Sequence, residues 1–328
     1  MSELTETEQL LPWINIDHIH WTSLCHNPHE CAIDMLRKHP NQINWHVLSS
    51  NKHAISLLRQ YPDEINWRSI SYHDTDEAIQ LLRENMNKID WTLLSQNTNV
   101  NAIQLLRENM DNINWHILSS NRNEHAIQLL REHPEHIYWI NLSKNTNDGA
   151  IQLLRENPDN IDWTLLSGNT NDDAIQLLRD HPDKINWHEL SENTNENAMQ
   201  LLRDHLDKIN WHILSCNTSK GAMQLLREHP DKIDWGFLSR NTHDGAIQLL
   251  REHPDKIYWF GLSKNKNDGA IELLQDNPDK IDWTMLSGNK NNQVLLMLEE
   301  HPEKIEWFHL SKQIYIFQPV YTSSYVLK

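Results

Sequence analysis

Thirteen of the chain's 14 tryptophans fall in one register. Trp21 and Trp45 are 24 residues apart, Trp67 follows after 22, and Trp91, Trp115, Trp139, Trp163, Trp187, Trp211, Trp235, Trp259, Trp283 and Trp307 then recur every 24. Residues 174–187, AIQLLRDHPDKINW, and 222–235, AMQLLREHPDKIDW, show how closely the copies agree. A fixed period of this length means a stack of small units, none able to bury its apolar face alone. Such a chain grows by adding units, so its 328 residues do not set a domain count.

With the Trp as position 1, the unit beginning at Trp163 reads WTLLSGNTNDDAIQLLRDHPDKIN. Position 24 is Asp or Asn in nine of 13 units, a short polar side chain able to accept an orphan N–H at a helix start. A short Trp helix therefore runs from position 1 to about position 5. Positions 1, 4 and 5 share one arc, and positions 2, 3 and 6 share the other. Position 4 is Leu or Ile, and position 5 is Ser in every unit except for Cys25. A longer helix follows an Asn-rich turn, with Ala174, Ile175, Leu177 and Leu178 on its apolar face and Gln176 and Asp180 pointing away. Nine of the 12 prolines come next, as at Pro182, and end it. Neither helix is long enough to hold alone in water, so stacking must bury the Trp, Leu and Ile of each unit against its neighbours.

The expected architecture is an all-α solenoid of about 12 helix-pair repeats. A leucine-rich-repeat-like α/β solenoid is the alternative, but the alternating L-x-L strand before the Asn is missing; a short extended KIDW segment fits either. Residues 1–20 read as an acidic segment and opening cap, 21–311 as the solenoid, and 312–328 as an aromatic tail that covers the last apolar face or reaches a partner. Asn at position 7, present in 11 of 13 units, reads as a turn residue or as a ladder joining units. Arg at position 17, usually followed by an acid, reads as an ion pair or a solvated stripe.

A net charge of −17 argues against a nucleic-acid binder. Three cysteines give no disulfide framework, the amino terminus has no signal-peptide core, and no apolar run approaches a membrane span, so a non-secreted protein away from membranes is expected. In CHNPHEC, the residues Cys25, His26, His29 and Cys31 lack the usual zinc spacing. His181, His205, His229 and His253 repeat every 24 residues, too far apart to share an ion, and Asn85, Asn109 and Asn157 take the same place, which points to a helix-end role. No phosphate loop, HExxH helix or GxSxG elbow occurs, and ionisable residues that repeat on every unit do not single out an active site. No enzyme activity, cofactor or metal is expected.

Comparison between units separates fixed positions from free ones. The outer arc of the Trp helix is free: Arg68, Ile140, His188, Gly236 and Phe260 at position 2, Ser69, Asn141, Glu189, Phe237 and Met285 at position 3, Tyr72, Lys144, Glu192 and Arg240 at position 6. The exposed positions of the longer helix are far more uniform, with Gln at position 14 in eight units. Phe237, Phe260 and Phe308, with Ile213 and Met285, suggest a continuous apolar stripe over the carboxy-terminal units. The candidate partner-binding face is therefore Arg68, Tyr72, Ile140, Ile213, Phe237, Phe260, Met285 and Phe308. A repeat-type single-stranded RNA reader is the alternative that the charge disfavours.

NPDKIDWTMLSGN, residues 277–289, resembles the units of Trp-containing tandem repeat proteins of large nucleocytoplasmic DNA viruses. The resemblance spans about residues 19–311. This chain departs from it in often having His for Asn before the Pro, and in its tail. The resemblance implies a viral repeat protein that acts on host factors in the cytoplasm or is built into the virion. It supplies no catalytic residues.

Overall fold

The structure is a computed structural model, described here for residues 16–310. Both the amino-terminal acidic segment up to residue 15 and the tail 312–328 lie outside the described residues. The described residues are helical throughout, with 25 α-helices, 13 3₁₀ helices and no strand. The leucine-rich-repeat alternative is therefore set aside. The chain divides into two compact units, Met1–Asp162 and Trp163–Lys328, each a run of helix pairs in an all-α solenoid.

One repeat of the second unit shows why the sequence folds this way. Asn171 caps the longer helix Asp172–Asp180, its side chain accepting from the N–H groups of Asp173 at 2.8 Å and Ala174 at 3.3 Å. That helix buries Ala174, Ile175, Leu177 and Leu178. It ends at His181, and Pro182 opens a 3₁₀ helix, Pro182–Lys184, where its fixed φ and missing N–H do no harm. Proline thus begins a third helix as well as ending the second, where the residue pattern alone suggests a plain turn. Ile185 and Asn186 are extended (ψ 127° and 98°), so the KIDW segment is extended backbone without strand pairing. Asn186 then caps the next Trp helix, Trp187–Glu192.

Within each unit the layers stack like on like. In the first, the Trp helix Trp67–Tyr72 packs on Trp91–Gln96, and the longer helix Asp76–Glu84 packs on Val100–Arg107. In the second, Trp187–Glu192 packs on Trp211–Leu214, and Glu196–Arg203 on Lys220–Glu228. From Leu48 to Leu286 the Leu or Ile at position 4, and from Ser49 to Ser287 the Ser at position 5, are fully buried between the layers. The buried hydroxyl explains the near-invariant Ser. Ser191 Oγ donates to Trp187 O at 2.7 Å and accepts from Asn210 N at 3.0 Å, tying the start of the Trp helix to the cap that ends the unit. Cys25 takes the same buried place. Burial pushes its thiol up, partly offset by the Asn44 backbone N–H, so it is protonated and unreactive.

Asparagine at position 7 forms the expected ladder. Asn193 Nδ2 donates to Ser167 O at 3.1 Å and to Asn169 O at 2.9 Å, both one repeat back, while its Oδ1 accepts from Asn195 N at 2.9 Å. Asn51 does the same with Cys25 O, Asn27 O and His53 N. The carboxamide serves two carbonyls and one N–H that no helix can reach. Arginine at position 17 pairs with the acid of the following repeat, as in Arg131–Glu156 at 2.8 Å and Arg203–Glu228 at 3.3 Å. These exposed pairs add little stability individually.

Tryptophan has a partner that the residue pattern does not show. Its ring is half-buried, and it lies against the position-19 residue of its own repeat: Trp187–His205 at 5.0 Å between ring centroids, Trp21–His39 at 5.0 Å, Trp45–Tyr61 at 4.6 Å. The Trp thus helps close its own unit, as the Ser hydroxyl does. That also accounts for the 24-residue histidine row: each residue closes the longer helix through its backbone N–H, and its imidazole lies against a Trp ring.

The 22-residue step has a local cause. Two residues separate Asn51 from Ala54, where four separate Asn169 from Ala174. The missing pair shortens the longer helix to Ile55–Leu58, and its cap, Ala54, offers no side-chain acceptor.

Candidate functional site

The outer arc of the Trp helix divides in the structure. Position 3 is half-buried between successive Trp helices, whereas positions 2 and 6 carry most of the exposed side chains. In the first unit Arg68 is exposed and pairs with Asp90 at 3.2 Å, Tyr72 is exposed, and Ile140 is 60% exposed. In the second, Ile213, Phe237 and Met285 at position 3 are half-buried, as is Phe260 at position 2, while Phe308 is 65% exposed.

The structure brings Phe237 and Phe260 into one mixed cluster. Phe237 meets the His212 ring at 4.0 Å, and His212 Nδ1 pairs with Asp234 at 2.8 Å. The Arg240 guanidinium lies 5.8 Å from the ring centres of both Phe237 and Tyr258, Tyr258 meets Phe260 at 5.7 Å, and Lys264 Nζ stands 4.7 Å from the Phe260 centre. Gly261 makes this approach possible: a Cβ there would lie 3.0 Å from the Tyr258 ring and 3.1 Å from Arg240. The expected continuous apolar stripe is thus corrected to aromatic rings interleaved with cations, in cation–π geometry.

Two residues outside the set expected from the sequence belong to this face. Position 24 is a hydrogen-bonding cap in most repeats, yet Tyr138 and Tyr258 stand there with no side-chain cap bond. They are 51% and 44% exposed. Both open the same local sequence, Tyr-Trp-apolar-x-Leu-Ser-Lys-Asn, giving Tyr138, Ile140 and Lys144 in one repeat and Tyr258, Phe260 and Lys264 in another. Beside Tyr138 an open cleft of about 560 Å³ is lined by Trp115, His116, His136 and Glu135; Trp115 and His136 stack at 4.5 Å and 17°. The signal is present in the sequence as the exceptions to the Asp/Asn cap.

CHNPHEC dissolves into local roles. Asn27 Oδ1 accepts from His29 N at 2.9 Å, and His29 Nδ1 accepts from Cys31 N at 3.2 Å to cap the helix Glu30–Lys38. No group of three or more His, Cys, Asp or Glu is gathered for a metal among the described residues.

His73, which replaces the ladder Asn, is an irregular buried group. It is 8% exposed, and neither ring nitrogen has a hydrogen-bond partner. Burial lowers its pKa below the ordinary 6.5; the Ser50 backbone and Asp74 oppose the shift, and Lys52 adds to it. The folded state therefore holds the neutral imidazole, and the unfolded state takes up a proton first as pH falls below about 6.5. Stability at His73 is full above that value and declines below it. The variant His73→Asn is expected to narrow the difference in melting temperature between pH 7.5 and pH 5 relative to wild type; an unchanged difference would show that His73 does not contribute.

No helix among the described residues is long and apolar enough to cross a membrane. No protein-family model, curated protein or solved structure matches this chain.

Proposed function

We propose that the protein is a non-enzymatic repeat scaffold that binds a protein partner through the outer face of its Trp helices, centred on the Tyr138 and Tyr258 repeats. One observation carries this reading. At these two positions a cap worth about 1 kcal/mol is replaced by a partly exposed tyrosine, beside an apolar residue and a lysine. Aromatic rings with a cation nearby are the side chains from which interface hot spots are built. In the second unit Arg240 and Lys264 stand among the rings and give that face a local positive character within an acidic chain, so the partner surface it suits offers carboxylates around an apolar anchor. The resemblance to viral Trp-repeat proteins supports placing this scaffold in an infected host's cytoplasm or in a virion.

The test compares wild type with a Tyr138→Asn/Tyr258→Asp variant, which restores both caps, and with Phe237→Ser/Phe260→Ser/Phe308→Ser. A partner is first captured from the native source, identified, purified and titrated against each. The reading expects binding to fall by at least about tenfold in both variants while the fold is kept. Undiminished binding by the folded variants would place the function elsewhere.

A further inference from the structure

The two-residue deletion in the repeat beginning at Trp45 changes more than one helix. Its effects gather at the joint with the repeat beginning at Trp67, inside the first unit. Further along this unit a full-length helix packs on the next, as Asp76–Glu84 does on Val100–Arg107. Ile55–Leu58 is about one turn long, has no side-chain cap and packs less extensively on Asp76–Glu84. So short a helix depends on its neighbours for nearly all its stability.

The ladder is interrupted at the same joint. Asn51 ties the Trp45 repeat back to Cys25 O at 3.0 Å and Asn27 O at 2.8 Å. Asn97 ties the Trp91 repeat back to Ser71 O at 3.3 Å and His73 O at 2.7 Å. Between them stands His73, whose ring bonds neither Ser49 O nor Asn51 O. The Arg59–Glu84 ion pair crosses the joint, but it is exposed and adds little.

Both His73 ring nitrogens are shut off from water, so the imidazole gains a proton only when the layers part. Lys52 of the preceding repeat disfavours the imidazolium, and Asp74 of its own repeat favours it. Tyr72 stands beside it, and the Trp91 repeat contributes only the uncharged Gln96, Asn97 and Thr98. Burial outweighs Asp74, so the closed joint holds the neutral ring. An opened joint hydrates the ring, which then takes up a proton as pH falls below about 6.5. Acid therefore favours opening, and neutral pH favours closure. What lies beyond the joint is small: residues 21–66 are two repeats, fewer than a stack needs to stand alone.

We propose that the joint between the Trp45 and Trp67 repeats is an acid-sensitive break point, at which residues 21–66 detach and unfold together while the rest of the first unit stays stacked. Detachment uncovers part of the apolar face that Asp76–Glu84 otherwise buries.

The test is hydrogen exchange of the full chain at pH 7.5 and pH 5.0, read by mass spectrometry and corrected for the intrinsic pH dependence of exchange. Protection over 21–66 is expected to fall in acid, by up to about thirtyfold for one imidazole that titrates only in the open joint. Val100–Arg107 and Glu124–Glu132 are expected to keep their protection within about twofold. Two variants follow: His73→Asn, which supplies the ladder residue, and His73→Gln, which is uncharged at both pH values. Protection over Val100–Arg107 at pH 7.5 shows that each is folded. In both, the acid-induced fall over 21–66 is expected to shrink at least about threefold. Four results would each overturn the proposal: an equal fall over Val100–Arg107, no fall over 21–66, a fall confined to one of the two repeats, or the wild-type fall persisting in both variants.

Discussion

Replacing Asn193 with alanine is expected to lower the unfolding free energy by about 3 kcal/mol, as read by urea denaturation. The side chain is almost wholly buried and makes three bonds, to Ser167 O, Asn169 O and Asn195 N. Removing it strands two carbonyls and one N–H, each at a net loss of about 1 kcal/mol or more. Asn193→Asp is the sharper version. It keeps the acceptor, but aims a carboxylate oxygen at two carbonyl oxygens. The folded state then prefers the protonated acid, so the folded pKa stands above the unfolded value of about 3.9. Stability of this variant falls as pH rises through that window and recovers in acid. A loss well under 1 kcal/mol for Asn193→Ala would mean that the ladder positions the chain without holding it.

The second large effect belongs to Trp187. Its half-buried ring packs against His205 of the same repeat at 5.0 Å and 55°. Trp187→Ala is expected to cost about 2–3 kcal/mol, less than a fully buried Trp because part of the ring already faces solvent. His205→Ala is expected to cost about 1 kcal/mol or less, and a double-mutant cycle should return a coupling of about 0.5–1.5 kcal/mol. Strictly additive losses would show that the ring contact carries no energy of its own.

Much of the repeat is legible in the amino-acid sequence. The period marks the units, Asn186 and Asn171 mark the caps, and Ala174, Ile175, Leu177 and Leu178 mark the buried face, because each signal is local and recurs. What escapes such a reading depends on partners distant in sequence. Nothing in the row His181, His205, His229 says that each ring meets the Trp 18 residues before it. Likewise, helical arcs assign position 3 to the outside, but neighbouring Trp helices pack closely enough to half-cover Phe237 and Met285. Tyr138 and Tyr258 escape for a different reason: a majority rule for the cap draws attention to the residues that obey it. His73 stands out in the sequence only as an exception to the ladder, since its burial is set by residues distant in the chain.

The central claim is that Tyr138 and Tyr258 serve binding at a cost to the fold. The direct measurement is the unfolding free energy of Tyr138→Asn, Tyr258→Asp and the double variant by urea denaturation. The account predicts stability that holds or rises, by up to about 1 kcal/mol for each restored cap. A loss of more than about 1 kcal/mol per substitution would contradict it, because the tyrosines would then be there to hold the solenoid together.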